Sequence, residues 1–106
     1  MALMYVNVFR SRKRADIDAA AYAADADRMV ELAREQKGFI SYRSFKADDG
    51  ETLSLSEWET EADARAWQRQ IDHAAVQARG RLDYYDSYTV YSCADPDIRR
   101  YDRSKS

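Results

Sequence analysis

The sequence predicts an α+β domain in the order β-α-β-β-α-β, with one antiparallel sheet and both helices on a single face of it. Three observations predict it. Two segments carry apolar residues at three- and four-residue steps, while four others alternate at period two or are continuously apolar. A Gly-containing turn, Asp48-Asp49-Gly50, joins two of the strand-like runs directly. The 106 residues suffice for one hydrophobic core rather than two.

Residues 2–10 form the first predicted strand. Leu3, Tyr5, Asn7 and Phe9 share one face and Met4, Val6 and Val8 the other, so the strand is covered on both sides. Over residues 16–36, Ala19, Tyr22, Ala26, Met29, Val30 and Ala33 recur with helical spacing, and Gly38 is placed as a left-handed cap. Residues 39–46 and 52–58 are the hairpin strands. Thr60 offers its hydroxyl to the first turn of a second helix, with Asp63 as the reciprocal member of a capping box. That helix turns Ala64, Trp67, Ile71, Ala74, Ala75 and Ala78 to one side, could restart at Asp72, and ends at Gly80. Residues 82–93 form a tyrosine-rich last strand, in which alternation sends Tyr84 and Tyr88 to one face and Tyr85 and Tyr91 to the other.

This order is the ferredoxin-like split unit. A sheet with helices on one face leaves the other to be covered. Leu3, Tyr5, Phe9 and the alternating tyrosines are too apolar for open water, which predicts a homodimer with two sheets face to face. The domain spans residues 1–95. A polar tail follows over 96–106, with Ile98 and Tyr101 as the anchors by which it could dock along a neighbouring subunit.

Bulk properties exclude several function classes. Lys+Arg 17 against Asp+Glu 19 gives a net charge of -2, so there is no general drive toward nucleic acid or an anionic membrane. The run Arg10, Arg12, Lys13, Arg14 reads as a solvated loop. A lone cysteine, Cys93, allows no internal disulfide and reads as a small buried hydrophobe. No apolar run approaches the roughly 18 residues a membrane span needs, and no leader pattern precedes Leu3, so the expected location is the cytoplasm. Neither a phosphate-cradling glycine loop nor clustered His, Cys and Asp residues are visible, which disfavours a bound nucleotide or metal.

The candidate site residues are few. Asn7 is an amide among apolar neighbours, suited to orienting a substrate oxygen or dioxygen, or equally an amide satisfied by nearby backbone. Trp67 reads as core, or as a flat surface for an aromatic ligand. His73 is the one side chain whose ordinary pKa suits proton transfer near neutrality, or else an exposed or capping histidine. On a continuous helix it lies about 120° from Trp67, so a break near Asp72 would be needed to bring the two together. Tyr5, Phe9, Tyr85 and Gln77 complete the expected substrate-binding set.

Glu57-Trp58-Glu59, Ala66-Trp67, His73-Ala74-Ala75 and the run from Tyr84-Tyr85 to Tyr88 resemble the antibiotic biosynthesis monooxygenase family. The likeness covers residues 4 to about 90 in element order and length. It implies a dimeric α+β barrel and, as the expected activity, cofactor-independent oxidation of an aromatic or polyphenolic small molecule by dioxygen. In that chemistry Asn7 would orient, Trp67 stack, His73 move a proton and a tyrosine hydrogen-bond the substrate. The resemblance also implies two alternatives. One is a heme-degrading monooxygenase, whose first-strand Asn and second-helix Trp are matched by Asn7 and Trp67. Its heme-ligating histidine falls at Gln77, a poor iron ligand, so heme is disfavoured. The other is a non-catalytic small-molecule-binding or dimerisation domain.

Overall fold

The computed structural model describes the backbone of residues 4–78 and 84–105, and the side chains of 4–70 and 84–104. The elements follow the predicted order: β1 (Tyr5–Lys13), α1 (Ala19–Arg34), β2 (Phe39–Lys46), β3 (Thr52–Trp58), α2 (Glu61–Ala78) and β4 (Tyr85–Ala94). A 3-10 turn follows at Arg103–Lys105. The strands form one antiparallel sheet in the order β2-β3-β1-β4, the arrangement of the ferredoxin-like fold.

Both hairpin strands have the limits predicted for them, but β1 starts and ends three residues later than expected. The basic run is therefore strand rather than loop. On β1, Arg10 pairs with Glu51 at 2.9 Å and Arg12 with Asp49 at 2.8 Å, which lets a charged segment continue a central strand; Arg14, just beyond, pairs with Asp16 at 2.9 Å.

The first helix starts at an N-cap the sequence reading missed, Asp18, whose carboxylate accepts from the Ala21 N–H at 3.0 Å. The helix ends at Arg34, with Glu35 as its C-cap, so Gly38 is not the cap. Gly38, at φ +79°, instead occupies the third position of a turn closed by the Phe39 N–H donating to the Gln36 carbonyl at 3.3 Å. Ahead of α2, the Thr60 hydroxyl accepts from the Asp63 N–H at 3.0 Å. The return bond of the capping box is replaced: Asp63 lays its carboxylate against Gly38. The second helix runs through Asp72 without the break considered in the sequence.

The core sits between the helices and the β2–β3 side of the sheet. Met29 and Ala33 from α1 and Ala64 and Trp67 from α2 enclose Trp58, which is fully buried, with Tyr5, Leu32, Phe39 and Tyr42 packed around them. Because Tyr5 pairs with Trp58, period two places Asn7, Phe9 and Ser11 on this helix-side face, opposite Ser56, Ser54 and Thr52. This corrects the expectation that Tyr5 and Phe9 face a partner. The outer face instead carries Val6, Val8, Leu53 and Leu55, flanked by Phe45 on β2 and Tyr91 on β4, with Phe45 and Tyr91 about half exposed. Cys93, opposite Val6, is exposed rather than buried.

The tyrosines also depart from simple alternation. A register shift between Arg12 and Lys13 brings Tyr85 opposite Lys13 while Tyr88 stays opposite Ser11. Tyr85 and Tyr88 thus share the helix side, their ring centroids 6.1 Å apart, and Tyr91 lies on the other face.

Candidate functional site

The helix-side face has two halves. Toward β2 and β3 it is sealed by the core. Toward β4 it is open among the described residues, where Tyr88 and Val90 stay half exposed. The functional candidates divide between these halves.

Asn7 lies on the open half, opposite Ser56 on one side and Ser92 on the other. The Ser92 hydroxyl donates to Asn7 Oδ1 at 2.7 Å. That bond fixes the carboxamide with its NH₂ end available, since it donates to no other group among the described residues. Phe9, one turn of the pleat away, meets Tyr85 edge-on at 5.5 Å and Tyr88 at 5.3 Å. Tyr22 of α1 closes the cluster, edge-on to Tyr84 at 5.3 Å and to Tyr85 at 6.3 Å. The Tyr84 hydroxyl donates to Asp25 Oδ2 at 2.6 Å, tying α1 to the start of β4, and this bond holds the phenol above its ordinary pKa.

Trp67 belongs to the sealed half. It is 6% exposed and packs against Trp58 at 5.2 Å and Tyr42 at 6.1 Å. Both indole N–H groups are buried without an acceptor among the described residues. Tyr5 is partly buried beside the same core. Asn7, Phe9 and Tyr85 are thus brought to one surface, while Tyr5 and Trp67 support the sheet next to it. The side chains of His73 and Gln77 lie outside the described residues.

Lys13 is the site residue the sequence reading missed, because it was grouped with its arginine neighbours. It is partly buried, its Nζ donates to Thr52 Oγ1 at 2.8 Å, and it sits 4.6 Å from the Tyr22 ring centroid. Burial and then the nearby Lys46 charge push its pKa below the usual lysine value. Among the described residues there is no group of His, Cys, Asp and Glu arranged to hold a metal ion, and no helix is long and apolar enough to cross a membrane.

A family model for antibiotic biosynthesis monooxygenase matches residues 4–79, which takes in the first three strands and both helices. The chain belongs to the antibiotic biosynthesis monooxygenase family. Its likeness to the uncharacterized protein YqjZ of Bacillus subtilis (strain 168) is 33% identity over 86 residues, spanning 81% of this chain and 75% of YqjZ. Among solved structures it is similar to Rv0793 from Mycobacterium tuberculosis, with a TM-score of 0.73 at 18% identity, covering 92% of this chain and 99% of that one. It is also similar to SnoaB, a cofactor-independent oxygenase from Streptomyces nogalater, with a TM-score of 0.58 at 16% identity, covering 92% and 94% of the two chains. At those identities the structural likenesses establish the monooxygenase-family fold, and the chemistry has to be argued from the residues of this chain.

Proposed function

We propose that this member of the family is a monooxygenase that oxidises an aromatic or polyphenolic small molecule with dioxygen, without a metal or flavin. The observation that carries the reading is Asn7, an amide donor held by Ser92 beside the Phe9, Tyr85 and Tyr88 rings. A phenol lying on those rings would present its oxygen to the Asn7 NH₂. Donation there stabilises the negative charge that develops when the ring is deprotonated. The electron-rich anion then reduces dioxygen, one oxygen atom entering the ring as the second leaves as water, so that substrate and oxidant balance with no external reductant. His73 is assigned the proton transfer and Trp67 the support of the pocket wall. The description of SnoaB as cofactor-independent favours the same chemistry.

The reading includes a homodimer. The accessible surface is 8039 Å², against about 6,100 Å² for a compact folded chain of 12.3 kDa. The radius of gyration is 15.2 Å, against about 13 Å for a compact domain of this length. Excess surface and an outer face bearing Val6, Val8, Leu53, Leu55 and Tyr91 both favour a second sheet packed against the first.

The test is oxygen uptake by the metal-free protein on a panel of polycyclic phenols, read against quinone absorbance. Equal consumption of oxygen and phenol is expected. No uptake on any phenol, with ligand binding intact, would replace catalysis by the non-catalytic binding reading. A hemin titration run alongside separates the third reading, since a saturable Soret band that bleaches on reduction in air would favour heme degradation.

A further inference from the structure

Four cations cluster at the end of β1, and their environments differ. Arg10, Arg12 and Arg14 each pair with a carboxylate. Lys13 does not: its one hydrogen bond among the described residues goes to the neutral Thr52 hydroxyl. Alternation along β1 carries Arg10 and Arg12 to the outer face and Lys13 to the helix side with Phe9 and Ser11, and the register shift on β4 brings Tyr85 opposite it. Lys46 stands opposite Thr52 on the neighbouring strand, and its charge acts on Lys13. Lys46 likewise has no carboxylate partner among the described residues.

Two like charges converge, one of them partly buried, and no anion accompanies them among the described residues. Such an arrangement costs free energy in the empty protein and is relieved by a bound anion. Tyr22, Tyr85 and Phe9 supply an aromatic surface that begins at the lysine pair. A phenol is mostly neutral near pH 7, with a pKa of about 10, whereas a carboxylate is fully ionised there. The pair is therefore matched to a carboxylate.

We propose that Lys13 and Lys46, with Thr52 between them and Tyr22 alongside, form a binding site for the carboxylate of an aromatic acid whose ring lies on the Phe9–Tyr85 surface. This specifies the substrate class for the oxidation above and rests on that reading for the placement of the ring. Lys13 would donate a charge-assisted hydrogen bond to a carboxylate oxygen while keeping its contact with the Tyr22 ring. Lys46 would add charge from the rim.

Equilibrium binding tests the proposal without turnover. Calorimetric titrations of the full chain with a naphthoate anion and with its methyl ester compare a charged and a neutral ligand of the same shape. The wild type is expected to bind the anion about tenfold more tightly than the ester. Lys13→Met should abolish the preference, Lys13→Arg should retain most of it, and Lys46→Met should reduce it partly, each read as the ratio of anion to ester affinity within the same variant. Circular dichroism checks each variant's fold; should Lys13→Met not fold, Lys46→Met and the wild-type preference decide. A wild type with no preference, or variants that keep it in full, would overturn the site. Anion selectivity with no oxygen uptake on any aromatic would preserve the site and remove the oxidation, whereas uptake on phenols without selectivity would do the reverse.

Discussion

The Tyr84 hydroxyl donates to Asp25 Oδ2 at 2.6 Å, joining residues 59 positions apart in the chain. It ties the first helix to the start of the last strand, beside the Tyr22–Tyr85 contact.

Its pH dependence has a definite sign. Hydrogen bonding to Asp25, then burial and the Asp25 charge, raise the phenol's pKa in the folded state. A raised pKa contributes stability that is fully present below the unfolded value of about 10 and is lost as pH rises through the folded value. Tyr84→Phe should therefore lower the urea midpoint at neutral pH by an amount that stays constant to about pH 9 and shrinks above pH 10. A gap unchanged at high pH would mean that packing rather than the hydroxyl is responsible.

The Asn7–Ser92 pair predicts a graded loss of turnover. Asn7→Ala removes the donor and should lower kcat by about 100-fold on a productive phenol, the scale for one donor to a developing oxyanion. Ser92→Ala leaves the donor but frees the carboxamide to rotate, so a smaller fall is expected, in kcat rather than KM. Ser92→Thr keeps the hydroxyl and should restore most of it. Equal losses in KM alone would make Asn7 a binding group without a part in the chemical step.

How much of this was legible in the sequence depends on the kind of signal. The hairpin strands and the Thr60 cap rest on local rules, and they appear where those rules place them. The end of β1 was hidden because its arginines are paired with residues some 40 positions away, Glu51 and Asp49, so a charged run that looked like loop could be strand. The tyrosine faces were misassigned because alternation assumes an unbroken register, and the shift after Arg12 has no composition signature. Lys13 was hidden for the first reason, since alternation carried three residues further along β1 already places it on the helix side with Phe9 and Ser11. The Asp18 cap was visible in principle, as an aspartate just before an alanine-rich helical run.

Gly38 links two elements through backbone conformation. Its φ of +79° is strained for any side chain, and a Cβ there would run into the Asp63 carboxylate. Gly38→Ala should destabilise the fold by about 1–3 kcal/mol, read from urea unfolding. Because part of that cost comes from Asp63, adding Asp63→Ala should recover a fraction of it, whereas strictly additive effects would assign the whole cost to φ.

Trp67 distinguishes packing from function. Its N–H has no acceptor among the described residues, so Trp67→Phe loses contact area and none of their hydrogen bonds, and the stability change should stay below that of Trp67→Ala, about 3–5 kcal/mol. If Trp67 acts only by supporting the pocket wall, Trp67→Phe should keep most of the turnover at temperatures where the protein is folded. A large loss of kcat in a stably folded Trp67→Phe protein would give the indole itself a part in the reaction.

The outer face makes the last prediction. Val8 lies between Leu55 on one side and Tyr91 on the other, near the middle of the sheet face proposed to meet a partner. A buried, unpaired carboxylate there would be repeated by twofold symmetry, placing two like charges in one apolar interface. Val8→Asp should shift the protein from dimer to monomer in light scattering at micromolar concentration. Cys93 gives an independent reading, since it is exposed on the same face of a single chain and a partner would cover it. Its thiol should react slowly with a maleimide in the wild type and quickly in Val8→Asp. A wild-type protein that is monomeric, with a fast-reacting thiol, would leave the apolar face without its second sheet.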